Sequence, residues 1–251
     1  MKYKHILLTG ASGNLGKEII QLNKANKFNL LAPSRAILDI TKLETITKFF
    51  DKNEVDAVIH CAAMARMKEC HENSDKAIET NIIGTSNLVV EAIRKERKIK
   101  KNIRFVHMST DGVYASIDGN YSETSPTIPY NTYGWTKLGA ECAVSTLKNH
   151  CIIRTNFFEP ENIKFNESAT DAYTSKVTVG YIAKAVLKML NNDFIGTINI
   201  GKEKMSDYDN YKKYEPSLNP CKLKDIQKTV PFILPKDASM DINLWKRIEN
   251  S

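Results

Sequence analysis

Apolar and polar positions follow two different periods along the first two-thirds of this chain. Short runs that are nearly all apolar fall at 5–9, 28–32, 55–61, 103–108 and 151–153. Between them, apolar residues recur every three or four positions. Residues 41–51 place Leu43, Ile46, Phe49 and Phe50 on one helical side. Residues 75–94 predict one long helix with Ala77, Ile78, Ile82, Leu88, Val89 and Ala92 turned inward, and 131–147 predict another. Continuous apolar strands alternating with amphipathic helices predict an α/β fold. Its core is a Rossmann-type doubly wound parallel sheet with helices on both faces. Ligands of such sheets bind beyond the carboxyl ends of the strands.

After Arg154 the rhythm weakens. Residues 157–173 are polar and read as loop, 177–190 as helix and 196–200 as a short strand. Residues 202–220 are charged, rich in Tyr and poor in aliphatics, which predicts a mobile excursion over the surface. The expected division is a dinucleotide-binding domain over 1–155 and a small substrate-binding lobe over 156–251, with parts of the lobe contributing to the main domain.

Composition narrows the class. The 251 residues carry a net charge of +7. Part of it lies in the run Arg94-Lys95-Glu96-Arg97-Lys98-Ile99-Lys100-Lys101. No aromatic residues interleave there as a base-stacking platform requires, so the run reads as a solvated helix end and no nucleic-acid partner is expected. A positive field does suit an anionic nucleotide substrate. No apolar stretch reaches the roughly 20 residues of a membrane span. Five scattered Cys, an odd number, argue against a disulfide framework and for a reducing, cytoplasmic setting.

The candidate chemistry sits at the predicted strand ends. The first strand runs straight into Gly10-Ala11-Ser12-Gly13-Asn14-Leu15-Gly16, and a helical pattern follows. Strand, glycine-rich turn and helix in that order form the context of a dinucleotide fingerprint. Gly10 permits the tight turn, Gly13 admits pyrophosphate to the backbone, and Gly16 lets helix pack on strand. The helix N-terminus then faces the phosphates. The spacing is G-x-x-G-x-x-G rather than the commoner G-x-G-x-x-G. Tyr133 and Lys137 are four apart, on one face of a predicted helix. A free phenol titrates near about 10, and a neighbouring ammonium lowers that value, giving an acid–base group for neutral pH. Tyr and Lys at this spacing are also common on solvated helix faces. At the end of the second strand an acidic residue would bind the ribose hydroxyls of NAD, whereas an Arg accommodates the 2′-phosphate of NADP. The chain has Ser34-Arg35 and no carboxylate before Asp39, which favours NADP(H).

Taken together these segments resemble an extended short-chain dehydrogenase/reductase, and within that superfamily the dTDP-4-dehydrorhamnose reductase family. The resemblance rests on residues 8–16, Arg35 with Leu38-Asp39-Ile40, and Asp56-Ala57-Val58-Ile59-His60-Cys61-Ala62-Ala63. It rests further on Asn81-Ile82-Ile83-Gly84-Thr85, Met108-Ser109-Thr110-Asp111, residues 129–138 and Ser239-Met240-Asp241. It implies an NADPH-dependent reductase of a nucleotide-linked 4-keto-deoxysugar. Tyr133 would be proton donor, Lys137 its modulator and a ribose ligand, and Thr110 a hydrogen-bond partner of the substrate carbonyl. The turn residues Gly10, Ser12, Gly13, Asn14, Leu15 and Gly16 would hold the pyrophosphate. Ser34, Arg35, Asp39 and Ile40 would lie along the adenosine, with Cys61, Ala62 and Ala63 beneath it.

Two segments depart from the family. Gly112 stands where an aromatic residue is usual. Arg154-Thr155-Asn156-Phe157-Phe158-Glu159-Pro160 replaces Arg-Thr-Ser-Trp-Leu-Tyr-Gly. The same catalytic set would serve a sugar-nucleotide epimerase or dehydratase, although Asp111-Gly112 does not supply a dehydratase's acidic pair. A non-catalytic dinucleotide-binding regulatory subunit is the reading from another class, and the complete Thr110, Tyr133, Lys137 set speaks against it.

His60-Cys61 and Cys70-His71 lack the spacing of a zinc site, so no metal is expected. Cys142 and Cys151 read as small core hydrophobes, and His107 as a packed residue of a buried strand. Trp135 reads as a core or interface aromatic. In this superfamily its helix often pairs with a second subunit, which implies a homodimer.

Overall fold

The computed structural model describes residues 2–26 and 28–251. β1 (His5–Thr9), α1 (Asn14–Asn26), β2 (Asn29–Leu31), α2 (Leu43–Lys52) and β3 (Ala57–His60) come first. α3 (Met67–Glu72) and α4 (Ser74–Ala77) lead into a π-helical turn, Ile78–Ile83, that continues as α5 (Gly84–Ile99). β4 (Arg104–Met108), α6 (Thr132–Val144) and β5 (His150–Arg154) follow. Four short strands come next: β6 (Phe157–Phe158), β7 (Glu167–Ala169), β8 (Tyr173–Thr174) and β9 (Val177–Thr178). The chain ends with α7 (Val179–Asn191), β10 (Gly196–Asn199), β11 (Met205–Ser206), α8 (Asp207–Lys212), β12 (Asn219–Cys221), α9 (Leu223–Gln227) and α10 (Asn243–Glu249).

The pattern-based expectation of a parallel α/β sheet holds. Six strands lie in the order β10, β5, β4, β3, β1, β2, all parallel to their neighbours. The chain leaves β1 on one side for β2 and returns on the other for β3, so the order reverses at β1. Such a switch point opens a crevice beyond the strand ends. The register is level there: Thr9 pairs with His60 and His60 with His107, so Gly10, Cys61 and Ser109 emerge at one edge.

Alternation along β1 assigns the two faces. Ile6 and Leu8 bury against Ile19 of α1, Val186 of α7 and Trp245 of α10. Leu7 buries on the other side, among Ile46 of α2, Leu88 of α5 and Phe105 of β4. Each fully buried side chain of this size contributes about 1.5–3 kcal/mol.

Four local expectations change. The single helix over 75–94 is interrupted by the π turn, whose wider winding rotates the inward stripe. Asn81 is consequently buried, while Ile78, expected inside, is 45% exposed. The stretch 157–173 contains β6, β7 and β8, each too short to leave a period-2 signature. Residues 202–220 are not a loose excursion. Lys176 next to β9 donates to Asp207 Oδ1 (2.9 Å) and Tyr211 Oη (2.6 Å) of α8, and Asn210 is buried. These polar anchors are invisible to a search for aliphatic periodicity. Cys142, expected in the core, is exposed, whereas Cys151 is buried.

Candidate active site

Gly10 follows β1 with φ +71°, in the left-handed region that favours glycine. A Cβ there would also lie 2.6 Å from Ala62 N, inside the backbone leaving β3. The Gly13 amide closes the turn on Gly10 O at 3.0 Å, and α1 begins at Asn14. The turn is therefore packed against the exit of β3. A cavity of about 520 Å³ runs outward from it, lined by Gly10, Ser12, Gly13, Cys61, Ala62 and Ala63. Its far end is formed by Ser34, Arg35, Asp39 and Ile40. A second cavity of about 410 Å³ shares Gly10, Gly13, Cys61 and Ala63 and continues past Asn14, Leu15 and Gly16 to Tyr133 and Lys137. The structure thus brings the sequence-predicted residues along one crevice, with Thr110 directly after the lining residue Ser109. Arg35 Nε donates to Asp39 Oδ2 at 3.1 Å, so the cation at this far end is partnered yet 77% exposed.

Tyr133 stands in the first turn of α6. Asn131 caps that turn, its Oδ1 accepting from Gly134 N at 2.8 Å. Gly134 has no room for a side chain, because a Cβ would fall 2.2 Å from Gly112 O. The helix therefore starts hard against the Thr110–Gly112 segment, which places Tyr133 beside Thr110 within hydrogen-bond reach. Asn81 ties a third element in. Its Oδ1 accepts from Met64 N (2.8 Å), and its Nδ2 donates to Met64 O and Thr136 Oγ1 (2.9 Å each). Lys137, 2% exposed, donates from Nζ to His107 Nε2 of β4 at 3.3 Å.

The electrostatics correct one expectation. The Tyr133 phenol is not lowered in this structure. Burial, and after it the Asp111 carboxylate, push it above its ordinary value, against a hydrogen bond with Thr110. Lys137 is itself lowered to about 8 by burial, against Glu141 and Cys61. Desolvation is the largest influence on both groups, and the Lys137 charge is not among the influences on the phenol. The phenol is consequently held protonated, the form a proton donor requires.

Several residues near the chemistry were given no role by the sequence. Asp111, 3% exposed, accepts from Thr110 Oγ1 (3.1 Å) and Asn156 Nδ2 (2.9 Å). Burial raises its carboxyl to about 6, against those bonds and the Lys176 charge. Tyr130 lies beside it, its hydroxyl 3.9 Å from where a Cβ on Gly112 would stand. Burial and Asp111 raise the Tyr130 phenol too. Lys176, Asp207 and Tyr211 complete this polar wall, and only the Tyr-rich composition of 202–220 hinted at it. Arg154 serves the frame instead. Its Nη2 binds Glu141 Oε2 of α6 at 2.7 Å and its Nη1 donates to Tyr114 Oη at 2.9 Å. Glu141 also accepts from Ser109 Oγ, so β4, β5 and α6 are locked together under the site.

The sequence model of the family described as "RmlD substrate binding domain" matches residues 4–164. A dTDP-4-keto-6-deoxy-D-glucose reductase from Streptomyces niveus is 33% identical over 152 residues, 59% of this chain and 51% of that protein. The chain spans about half the length of the curated relatives it matches. Among solved structures, a dTDP-4-dehydrorhamnose reductase from Clostridium acetobutylicum superposes with TM-score 0.84 at 27% identity. The match covers 94% of this chain and 89% of that one. A Bacillus anthracis dTDP-4-dehydrorhamnose reductase in complex with NADP gives TM-score 0.86 at 21% identity, over 98% and 93% of the two chains, a likeness of fold. With its glycine turn, Tyr–Lys helix and strand order in place, the chain belongs to the RmlD substrate-binding-domain family, that of the dTDP-4-dehydrorhamnose reductases within the extended short-chain dehydrogenases/reductases.

Proposed function

We propose that this protein is an NADPH-dependent reductase of a nucleotide-linked 4-keto-deoxysugar, acting in deoxysugar or polysaccharide biosynthesis. The observation that carries the reading is the convergence of Thr110, Tyr133 and Lys137 at the inner end of a crevice whose outer end is Arg35. The relatives named as reductases of such sugars support it. The crevice fits a dinucleotide. Gly10 lets the turn pack directly against the exit of β3, and two cavities that share Gly10, Gly13, Cys61 and Ala63 join the adenosine end to Tyr133. Gly10, Ser12, Gly13, Asn14, Leu15 and Gly16 would hold the pyrophosphate. Ser34, Arg35, Asp39 and Ile40 would hold the adenosine phosphate side, with Cys61, Ala62 and Ala63 below. Bound NADPH supplies the hydride.

The chain's own residues supply the rest. Thr110 and Tyr133 present hydroxyls at one point, where the keto oxygen is held. Tyr133, kept protonated by burial, gives its proton to that oxygen as negative charge develops. The Lys137 ammonium then stabilises the phenolate left behind. In the free chain the Thr110 hydroxyl donates to Asp111 at 3.1 Å, and the arriving keto oxygen would take the place of Asp111 as acceptor of that proton.

The protein acts as a cytoplasmic homodimer in this reading. No helix among the described residues is long and apolar enough to cross a membrane. Trp135 of α6 is 55% exposed, and Ile78 and Ile83 of the adjoining π turn are 45% and 47% exposed, an apolar surface suited to a second copy. NADPH oxidation measured against a panel of 4-keto-deoxysugar nucleotides tests the activity. Tyr133→Phe is expected to retain NADPH binding while turnover falls about 10²–10⁴-fold. Turnover by that variant at the native rate would overturn the mechanism.

A further inference from the structure

His107 is an unusual occupant of a central strand. It lies in β4 between His60 of β3 and Ile152 of β5 and has no solvent exposure. Its Nε2 stands 3.3 Å from Lys137 Nζ, and its Nδ1 has no partner. An ammonium can only donate, so Nε2 must carry the lone pair and the ring hydrogen must sit on Nδ1. The folded chain therefore leaves one buried N–H unpaired while presenting a lone pair to Lys137. An apolar residue would fill this strand position without that cost, so packing alone does not account for the histidine.

The other groups facing Lys137 cannot take its place. His60 has both nitrogens engaged, Nδ1 with Thr9 Oγ1 at 2.7 Å and Nε2 with Thr85 Oγ1 at 2.9 Å. Glu141, one turn further along α6, is held by Arg154 and Ser109. The Cys61 thiol at the end of β3 is pushed up to about 12 by burial, against the Lys137 charge, and stays protonated. Tyr133, one turn earlier, is likewise held protonated. Among the described residues, His107 is the acceptor bonded to the Lys137 amine. Burial first, then Lys137 and His60, hold its imidazole well below its ordinary value, so it is a neutral acceptor at neutral pH.

We propose that His107 is the positioning residue of Lys137: a neutral imidazole, locked in the Nδ1–H tautomer, that holds the lysine ammonium in charged form beneath Tyr133. It touches neither substrate nor cofactor and acts through Lys137 alone. The inference rests on the reductase reading for its kinetic consequence, but not for the tautomer. Loss of the acceptor removes a bond to the charged form, so the amine loses its proton at lower pH.

Two measurements test this. Nitrogen NMR of the full chain with ¹⁵N-labelled histidine is expected to show one ring, identified by its absence in His107→Gln, as the neutral Nδ1–H tautomer. That ring should not titrate where free histidine does, and Lys137→Met should release its tautomer. In the pH–rate profile, native turnover is expected to fall on the alkaline side near 8, where Lys137 loses its charge. His107→Leu should move that limb down by about one pH unit. His107→Gln, whose amide oxygen can accept in place of Nε2, should return it toward native. An Nε2–H tautomer in the native protein overturns the proposal. So does a folded His107→Leu with an unmoved limb, or equal limbs for Leu and Gln. If His107→Leu does not fold, the native tautomer and the Gln variant decide. If the native protein reduces no keto-sugar nucleotide, the reductase reading fails, while the tautomer and its response to Lys137→Met still decide the positioning.

Discussion

Replacing Asp111 by Asn should make the fold more stable at neutral pH, and the gain should depend on pH in a defined way. The Asp111 carboxyl is raised from 3.8 to about 6, chiefly by burial. The folded chain therefore binds this proton more tightly than the unfolded chain does. Stability from this group is fully present below about pH 4 and is lost as pH rises through about 6. Two units correspond to about 3 kcal/mol at pH 7, at about 1.4 kcal/mol per unit. The Asn side chain removes that cost but has only one acceptor oxygen for two donors, Thr110 Oγ1 and Asn156 Nδ2. A mismatched bond costs about 1 kcal/mol. The expected net gain is therefore about 1–2 kcal/mol at pH 7, turning into a small loss near pH 4. Urea unfolding of both proteins at intervals across that range measures the difference. The slope between the two stability curves carries the test, since the mismatch does not depend on pH. Parallel curves would refute the reasoning, because they would mean that Asp111 is not protonated more readily in the folded chain than in the unfolded one.

Two further predictions concern the crevice. Arg35→Ala should weaken NADPH binding about ten- to a hundred-fold and leave NADH nearly unchanged, since it removes a charge-assisted contact and bares the Asp39 carboxylate. Fluorescence titration of both cofactors decides it, and equal affinity of the native protein for the two would defeat the argument. Gly134→Ala should cost about 1–3 kcal/mol of stability and most of the turnover, because the added methyl meets Gly112 O at 2.2 Å and displaces α6 from Thr110. A variant with the native unfolding midpoint and rate would show that the helix start is not constrained as described.

The parts of the site that were legible in the sequence are those whose geometry is local. The glycine turn is a contiguous run between a strand and a helix, and Tyr133 and Lys137 share one helix face by spacing alone. Arg35 and Asp39 are likewise four apart and in contact. The parts that were not legible depend on chain segments brought together from far apart. His107 reaches Lys137 across 30 residues, Asp111 reaches Asn156 across 45, and Lys176 reaches Asp207 across 31. Asn81 is buried because a π turn shifts the helix face, which a fixed 3.6-residue period cannot anticipate. The direction of the Tyr133 shift failed for a related reason. Spacing shows which charge is near, whereas desolvation is a property of the assembled crevice.

The two ends of the crevice are built on different principles, and this bears on where the chain departs from its family. The dinucleotide end is mostly backbone and small residues, so its shape follows from the turn itself. Beside Thr110 lies a set of ionisable side chains: Asp111 and Tyr130, with the bonded group of Lys176, Asp207 and Tyr211 near enough for its charges to act on Asp111. Gly112 lies between Thr110 and Tyr130. An aromatic residue there would start from a Cβ 3.4 Å from Thr110 Oγ1 and 3.9 Å from the Tyr130 hydroxyl, so its ring would contend with Tyr130 for the same space. Glycine at 112 and tyrosine at 130 are therefore complementary: the phenol arrives from the segment before α6 rather than from the turn after Thr110. Thr110, Tyr133 and Lys137 are untouched by this exchange. On the reductase reading, the chemistry is then the family's, and Gly112 is the chain's own departure beside it.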